Sequence, residues 1–294
     1  MIQRLARLSP DQRRRVLELL GAEAERTGRQ PLDEVNRLAV TELSELLDQR
    51  EHWLSFADGG LVGYAVVTTD EVAELSAADS AAALVLLAAV ELAHPGLPLW
   101  THGDLSAGRT AAQALGMSSV RELVLMARSL PPDTEPRTLP PGVTLDSFDV
   151  DNDVDDWLDL NRRAFAALPD QASWDRPELE LRLGAPWYRS DDFLVARGPD
   201  GDMIGFHWTK VDPTATAGGD TSGEVFIIAV DRAWRGSGLG AALLDQGLWH
   251  LTDRGMTQVH LFVDADNGAA IKVYESTGFS RVDGDRRFEP VAPA

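Results

Sequence analysis

The run Gly223-Glu-Val-Phe-Ile-Ile-Ala-Val-Asp231 predicts a β-strand, because it is short, apolar and rich in β-branched residues. A glycine-rich loop follows three residues later, Arg235-Gly-Ser-Gly-Leu-Gly240, and Ala241-Ala-Leu-Leu-Asp-Gln-Gly-Leu-Trp249 then takes up a helical period. Glycines let backbone N–H groups approach a phosphate closely, and the start of a helix adds unpaired donors and the positive end of its dipole. The order strand, loop, helix therefore predicts an anion-binding site.

The glycines alone leave other interpretations open. A flexible connection has the same composition. The strict dinucleotide-binding pattern G-x-G-x-x-G fails because Ala241 holds its last position. The looser pattern that ends in Ala is met, but Arg232-Ala-Trp234 separates it from the strand. A Walker A loop is excluded, since no Gly-Lys-Ser or Gly-Lys-Thr occurs in the chain.

The loop and a second motif resemble those of the GNAT acyltransferases. The pyrophosphate loop of that superfamily has the pattern Gln/Arg-x-x-Gly-x-Gly/Ala, which Arg235-Gly-Ser-Gly-Leu-Gly240 matches at every fixed position. Downstream, Asp266-Asn-Gly-Ala-Ala-Ile-Lys-Val-Tyr-Glu-Ser-Thr-Gly-Phe279 resembles the last helix of the superfamily, with the Asn, the Tyr and the Gly-Phe pair in place. The resemblance implies an enzyme that uses acetyl-CoA as co-substrate.

The composition limits the partners and the compartment. The 294 residues carry 27 basic and 47 acidic side chains, a net charge of −20, so nucleic acid and anionic membranes are repelled whereas a cationic amine is attracted. The absence of cysteine excludes disulfides and a thiolate nucleophile. The amino terminus lacks a signal-peptide core, and the longest apolar run, residues 81–90, is too short to span a bilayer. We expect a cytoplasmic monomer.

Local patterns predict several elements. Ser9 as N-cap and Pro10 at the first position predict a first helix that continues to Leu20, and a second helix is expected over residues 32–46. Residues 193–197 and 203–211 predict a hairpin joined at Gly198-Pro-Asp-Gly201. The acidic run 149–156 predicts a solvated helix entry with Asp153 as its cap.

The two halves of the chain repeat each other across a proline-rich segment, Pro131-Pro-Asp-Thr-Glu-Pro-Arg-Thr-Leu-Pro-Pro141. Gly116-Met117 aligns with Gly278-Phe279, and Ala73-Glu-Leu75 likewise mirrors Gly223-Glu-Val225. Such self-similarity over half a chain indicates an internal duplication.

We therefore predict an α/β fold with mixed α+β sheets, in which two tandem GNAT-like domains come from that duplication. The predicted boundaries are 1–130 for the amino-terminal domain, 131–141 for the linker and 142–294 for the catalytic domain. After Glu74-Leu-Ser76 the first half continues Ala77-Ala-Asp-Ser-Ala-Ala-Ala83, with no glycine loop and no basic residue. The amino-terminal domain is therefore expected not to bind acetyl-CoA in the usual way, and to support the active half.

Within the duplicated GNAT enzymes, the chain resembles the actinobacterial mycothiol synthase family. The resemblance rests on Gly205-Phe-His-Trp-Thr-Lys-Val211 before Gly223-Glu-Val225, on Leu261-Phe-Val-Asp-Ala-Asp-Asn267, and on Trp100-Thr-His-Gly103 in the first half. That family acetylates the cysteinyl amine of the Cys-GlcN-inositol pseudodisaccharide to give mycothiol. The resemblance implies this small molecule as the acceptor.

Site residues are carried over from the resemblance position by position. The acetyl-CoA contacts fall on strand backbone, on the pyrophosphate loop and on the last helix, at Ile228, Ala229, Val230, Arg235, Gly236, Ser237, Gly238, Leu239, Gly240, Ala241, Asn267, Gly268, Ala269, Ala270, Ile271 and Lys272. The substrate contacts fall on Glu34, Asp170, Lys210, Glu224 and Phe262. Asp170 and Phe262 stand where the family leads us to expect Glu and Tyr, and the Phe lacks a hydroxyl for one hydrogen bond.

The implied chemistry is direct acetyl transfer. An α-amine with a pKa of about 7.7 to 8.0 is mostly protonated at neutral pH and must lose a proton before it attacks a thioester. Glu224 is the candidate general base, acting through a water molecule, and Tyr274 is the candidate general acid for the departing CoA thiolate. Backbone N–H groups at 228–230 would hold the thioester carbonyl.

Each assignment has a structural alternative. A Glu at a strand start is ordinarily solvated or ion-paired, Tyr274 on an amphipathic helix could belong to the core, and Lys210 could bind substrate or merely pair with an acid. Four histidines lack metal-ligand spacing, so no metal is expected and core or surface positions are favoured for them: His102, His207, His250 and His260.

Two other functions stay open. The first is a duplicated GNAT enzyme for another amine, such as an aminoglycoside, a polyamine or a protein amino terminus, and the missing hydroxyl at Phe262 keeps it open. The second is a non-catalytic acyl-CoA sensor. A sensor needs neither Glu224 nor Tyr274, so their presence argues against it.

Overall fold

A computed structural model describes residues 1–41, 50–68, 72–166, 172–211 and 221–291 of the chain. Two compact units divide it. Unit 1 contains Met1–Leu125, Val263–Gly268 and Val282–Ala294, and unit 2 contains Met126–Phe262 and Ala269–Arg281. The sequence boundaries 1–130, 131–141 and 142–294 stay a prediction. No helix in the described ranges has both the length and the apolar character needed to cross a membrane.

Unit 1 is built from a mixed sheet and four helices. Its elements are β1 (Ile2–Leu5), α1 (Pro10–Thr27), α2 (Glu34–Thr41), β2 (Glu51–Ala57), β3 (Gly60–Val67), β4 (Ala73–Ala77), α3 (Ser80–Ala93), β5 (Leu99–Thr101), α4 (Ala107–Ala114) and the start of β6 (Ser118–Ser129). Strands β1 to β4 pair antiparallel in chain order, and β5 then pairs parallel with β4. The last strand, β12 (Ser280–Glu289), pairs antiparallel with β5.

Unit 2 repeats this order. Its elements are β7 (Thr144–Ser147), α5 (Val154–Ala164), α6 (Arg176–Leu183), β8 (Phe193–Arg197), β9 (Met203–Lys210), β10 (Ser222–Val230), α7 (Leu239–Asp253), most of β11 (Gln258–Asp264) and all but the first residue of α8 (Gly268–Ser276). Strands β7 to β10 pair antiparallel in chain order, and β11 pairs parallel with β10. In the described residues, each half has two helices after its first strand and a helix on either side of its parallel strand, as the duplication predicts.

The local predictions are mostly confirmed. Ser9 caps α1 through a reciprocal capping box with Gln12, with Pro10 in the first turn. Strands β8 and β9 form the predicted hairpin, and Gly201 adopts a left-handed φ of 86° in its turn. The second helix is found over Glu34–Thr41, and residues 42–46 of its predicted range lie outside the described residues.

The prediction for Asp153 is wrong in part. It stands at the N-cap position of α5, but its side chain makes no cap hydrogen bond. It is buried, and one carboxylate oxygen accepts from the Arg197 guanidinium at 2.6 Å while the other accepts from the Asp149 N–H. A buried carboxylate must be paired, and the ion pair across 44 residues outweighs the local cap.

An aromatic core lies under the sheet of unit 2. The rings of Phe193 and Trp208 stack with centroids 4.3 Å apart, and the buried Trp157 meets both with ring edges. Aromatic pairs of this kind contribute roughly 0.5 to 1.5 kcal/mol each beyond the area they bury. They fix β9 against β8 and so determine where Lys210, the last residue of β9, lies.

Helix α7 packs unusually close to β9. His207 is fully buried, and its Nδ1 lies 2.8 Å from the carbonyl oxygen of Leu243. Burial lowers the pKa of His207 to about 4, so the ring is neutral and donates this hydrogen bond. A Cβ added at Gly247 would lie 2.0 Å from the ring, so only glycine fits there. This contact holds the helix that begins at the glycine-rich loop.

Candidate active site

Glu224 lies between two basic side chains on neighbouring strands of unit 2. In register, it is opposite Lys210 on β9 and His260 on β11. Its Oε2 is 4.0 Å from Lys210 Nζ and 3.9 Å from His260 Nε2, and 18% of its side chain is exposed. The carboxylate is thus flanked by two basic groups and remains partly accessible from the surface.

The Lys210 ammonium lies against aromatic rings. Its Nζ is 4.7 Å from the Trp187 ring centroid and 5.2 Å from that of Phe226. The ring faces attract a cation, which offsets part of the cost of burying this side chain to 7% exposure. Phe226 is available because the register between β10 and β9 shifts between Val225 and Ile227, which leaves Phe226 as the extra residue of a bulge.

His260 extends the group on the other side of Glu224. Its Nδ1 lies 2.9 Å from Ser222 Oγ, and its ring meets Phe262 edge-on at 6.4 Å. The sequence favoured a core or surface position for this histidine and missed its contact with Glu224. The two are neighbours through the parallel pairing of β10 with β11, which joins segments separated by the whole of α7.

Beyond Glu224 the two parallel strands separate. Their pairing runs from Ser222 opposite Gln258 to Glu224 opposite His260, whereas β10 continues to Val230 with β9 as its partner. The edge of β10 over residues 226–230 has no β11 partner in the described part of the chain. A strand edge of this kind can pair with an extended ligand that carries amide groups, as pantetheine does. Residues 228–230 lie on this edge.

The glycine-rich loop follows the same strand. Gly236 and Gly238 have left-handed φ values of 80° and 88°, and a Cβ at either position would meet open space. Gly238 is the N-cap of α7, and no side chain caps the helix there. The Ser237 hydroxyl donates to the carbonyl of Trp234 at 2.7 Å, which stabilises the turn. The Leu239 N–H, the first of α7, donates to Ser237 Oγ at 3.3 Å, and the loop with the helix start behind it has the form of an anion-binding site.

Arg235 adds positive charge at the loop. It is exposed, and its guanidinium donates at 3.3 Å to the carbonyl of Ala164, the last residue of α5. Asp231 accepts from the Ala233 N–H and from the Arg163 guanidinium, and these contacts hold its pKa below the usual value although burial opposes them. These contacts order the turn from β10 into the loop.

Tyr274 lies on α8, the helix of unit 2 that corresponds to α4. Burial raises the pKa of its phenol to about 12, so the hydroxyl is protonated at neutral pH and can act as a donor. Its ring meets Phe279 at 5.9 Å, and Gly278, with a left-handed φ of 88°, ends the helix between them. Residues 269–272, assigned to acetyl-CoA from the sequence, lie on the first two turns of α8.

The remaining sequence-predicted residues fall elsewhere. Glu34 is the first residue of α2 in unit 1, and Asn267 and Gly268 also belong to that unit. Asp170 lies outside the described residues. The group that the structure brings together in unit 2 therefore consists of Lys210, Glu224 and His260, with Phe262 beside the histidine.

In unit 1 the residue aligned with Glu224 has a different environment. Glu74 is 3% exposed and accepts from the Asp33 N–H at 2.9 Å. His102 lies between Glu74 Oε1, at 3.4 Å, and Asp285 Oδ2, at 3.0 Å. Burial alone would lower the pKa of His102, but the two carboxylates outweigh it and raise that pKa well above its ordinary value. Glu74 is thus held in a buried ion pair.

The start of α3, the helix after β4, also differs from the start of α7, its counterpart in unit 2. The Asp79 carboxylate caps α3 by accepting from the Ala82 N–H at 2.8 Å. A negative side chain therefore stands at the N-cap of α3, where α7 has Gly238. That the first half does not bind acetyl-CoA stays a prediction.

Comparison with known proteins identifies the class and the family. The Acetyltransferase (GNAT) family model matches residues 154–279. Among solved structures, a tandem GNAT protein from the clavulanic acid biosynthesis pathway superposes with a TM-score of 0.71 at 16% identity over 100% of both chains. A GCN5-related N-acetyltransferase from Sphaerobacter thermophilus superposes with a TM-score of 0.67 at 19% identity over 100% of this chain and 97% of that one. Fold and family model together define a tandem GNAT acetyltransferase.

Relatives of higher sequence identity show to which family within this class the chain belongs. A mycothiol acetyltransferase from Streptomyces griseus is 38% identical over 294 residues, which cover 95% of this chain and 92% of the relative. Another from Thermobispora bispora is 43% identical over 197 residues, 67% of this chain and 66% of the relative. The chain belongs to the mycothiol acetyltransferase family. It is an acyltransferase, and the predicted α/β fold of tandem GNAT-like halves is confirmed.

Proposed function

We propose that the chain transfers the acetyl group of acetyl-CoA to the cysteinyl amine of Cys-GlcN-inositol and so forms mycothiol. One observation carries this proposal. Glu224, with Lys210 at 4.0 Å, stands where the pairing of β10 with β11 ends, next to an open strand edge and the glycine-rich loop. A proton acceptor, a place for an extended pantetheine arm and a phosphate site thus follow one another along a single strand.

Binding of acetyl-CoA is assigned to three segments. Backbone groups of 228–230 pair with the amides of the pantetheine arm, and the N–H groups of 235–241 with the Arg235 guanidinium hold the pyrophosphate. Residues 267–272 lie beside the thioester arm in this proposal. The loop geometry supports it, because the left-handed glycines Gly236 and Gly238 have open space around them, so a ligand can approach the backbone there.

The reaction requires the amine to lose two protons. Glu224 takes the first from the ammonium group, directly or through a water molecule, and the neutral amine then attacks the thioester carbon. Backbone N–H groups at 228–230 stabilise the negative charge on the carbonyl oxygen. As the C–S bond breaks, Tyr274 donates its phenol proton to the thiolate, and the second amine proton restores the phenol. The products are the amide, free CoA and one proton.

The acceptor is assigned to Glu34, Asp170, Lys210, Glu224 and Phe262. Mycothiol acetyltransferase relatives support a small-molecule acceptor. Phe262 contributes an apolar ring and no hydroxyl, so the sugar or inositol has one fewer direct partner at this position. A hydroxyl that finds water instead loses little affinity, since bridging waters are nearly as favourable as direct bonds.

Substitution of Glu224 tests the proposed mechanism. Glu224→Gln keeps the shape and removes the base, so we expect turnover to fall about 10²- to 10⁴-fold while acetyl-CoA affinity, measured by calorimetry, stays within about twofold. Tyr274→Phe should lower turnover with a pH profile that loses its alkaline limb. Unchanged turnover in Glu224→Gln would remove Glu224 from the role of base. Lost cofactor affinity would instead indicate a structural role.

A further inference from the structure

We infer that His260 accepts the proton that Glu224 removes from the amine, so that a Glu224–His260 pair, rather than the carboxylate alone, supplies the base. This inference rests on the proposed function. It extends the proposed mechanism by adding His260 as a residue that positions Glu224 and accepts its proton. Nothing in the pattern of the sequence marks His260, and the parallel register alone brings it to the carboxylate.

The geometry fits a relay. His260 Nε2 is 3.9 Å from Glu224 Oε2, a separation that a small side-chain rotation or one water molecule closes. On the far side of the ring, Nδ1 lies 2.9 Å from Ser222 Oγ. If Nδ1 carries the proton and donates to that hydroxyl, the lone pair of Nε2 faces Glu224. Ser222 thereby selects the tautomer that can accept.

Chemistry favours an imidazole as the final acceptor. Glu224 has the Lys210 ammonium 4.0 Å away on its other side, so the carboxylate lies between one cation and one imidazole that can accept a proton. General bases work best when their pKa lies near the working pH, and imidazole is the side chain that titrates between about pH 5 and 8. A proton that passes from the ammonium to Glu224 and on to Nε2 therefore leaves the carboxylate ready for the next turnover.

The charged groups around the His260 imidazole also favour proton transfer from Glu224 to His260. Glu224 faces it from β10 and stabilises the imidazolium, while Lys210 on β9 faces the opposite side of that carboxylate. Phe262 lies on the same strand as His260, two residues further on, and shields one ring edge. The side chain of His260 is 28% exposed, so the imidazolium can release its proton to water.

The chain offers a closely matched control. His94 in unit 1 also has a 28% exposed side chain, a carboxylate partner, Glu51 at 2.7 Å, and an edge-on aromatic neighbour, Trp53 at 6.3 Å. It belongs to no segment assigned to either substrate. His94→Gln therefore reports what the loss of a histidine pair does in general, whereas His260→Gln reports what the loss of this pair does to the reaction.

The test is the pH dependence of kcat in wild type, His260→Gln, His94→Gln and Glu224→Gln, with acetyl-CoA and Cys-GlcN-inositol saturating. We expect His260→Gln to lower kcat about 10- to 100-fold near pH 7.5 and to lose the acidic inflection, with KM for acetyl-CoA unchanged. His94→Gln should keep the wild-type kcat and profile. In His260→Ala, added imidazole should restore turnover in proportion to its neutral form.

The outcomes separate the two hypotheses. A wild-type kcat and profile in His260→Gln, or no rescue by imidazole in a folded His260→Ala, would overturn the relay and leave Glu224 as the base. Loss of kcat in His260→Gln together with normal kcat in Glu224→Gln would contradict both the relay and the proposed role of Glu224. Strong loss in both variants, with rescue in His260→Ala, is the expected result.

Discussion

Lys210 and Glu224 lie directly opposite each other on the antiparallel strands β9 and β10, with Nζ 4.0 Å from Oε2. The sequence left two interpretations of Lys210 open, substrate binding and pairing with an acid. The structure supplies the acid, and it also places the ammonium over the rings of Trp187 and Phe226. The two interpretations are compatible, because in the proposed mechanism a partner of Glu224 also lies beside the amine.

Removal of this ammonium should affect the carboxylate. In Lys210→Met we expect a loss of stability below the roughly 3 to 5 kcal/mol that follows when a fully buried pair loses one partner, since Glu224 is 18% exposed. The loss should shrink when Glu224→Gln is added, because the uncompensated charge is then gone. Urea unfolding of the four proteins in this double-mutant cycle measures the coupling. Additive effects would show that the two side chains do not interact.

A substitution in the glycine-rich loop should weaken the binding of acetyl-CoA selectively. Gly238→Ala forces a side chain into a left-handed conformation at φ 88° and disturbs the loop at the start of α7. We expect affinity for acetyl-CoA to fall about 10- to 100-fold, the value of one charged hydrogen bond, with wild type binding one acetyl-CoA per chain. Calorimetry measures both quantities.

Gly28→Ala is the control for backbone strain. Gly28 ends α1 with a left-handed φ of 73° and open space around it, so the conformational penalty is similar whereas no anion site is involved. Equal loss of affinity in both variants would mean that strain, and not the phosphate loop, weakens binding. Two acetyl-CoA sites in wild type would contradict the conclusion drawn from Asp79 and the missing loop.

Gly247 should tolerate no side chain. In Gly247→Ala the new Cβ would stand 2.0 Å from the His207 ring, so helix α7 must move off β9. Overpacking of this kind costs about 1 to 3 kcal/mol or more, and the thermal midpoint should fall by several degrees. Gly21→Ala in α1, where a Cβ meets open space, should instead stabilise the chain by roughly 0.5 to 1 kcal/mol. Equal midpoints for the two variants would refute the close packing.

The contribution of His102 to the stability of the folded chain should decline at alkaline pH. Although its burial opposes the charge, Glu74 and Asp285 raise the pKa of His102 well above 6.5 in the folded chain. The stability from this shift is fully present below the unfolded pKa and is lost as pH rises through the folded one. Thermal unfolding should therefore show a larger difference between wild type and His102→Gln at about pH 6 than at about pH 9. A constant difference would indicate that His102 acts by packing alone.

The sequence predicted what depends on local pattern. The strand, loop and helix from Gly223 onward, the capping box at Ser9 and the repeat of the two halves are each encoded within a few neighbouring residues. Pairings between distant segments could not be predicted in this way. His102 and Asp285 are 183 residues apart, and the contact of His260 with Glu224 depends on a parallel register set by the crossover through α7.

The most direct test of the central claim is thiol release from acetyl-CoA by the purified chain, with Cys-GlcN-inositol offered beside glucosamine, spermidine and an aminoglycoside. We expect a strong preference in kcat/KM for the cysteinyl pseudodisaccharide, with Phe262 as a tolerated variation. Turnover with another amine alone would contradict the proposed acceptor and leave the fold and the acetyl transfer in place. No turnover with any amine would contradict the enzyme mechanism proposed for Glu224 and Tyr274.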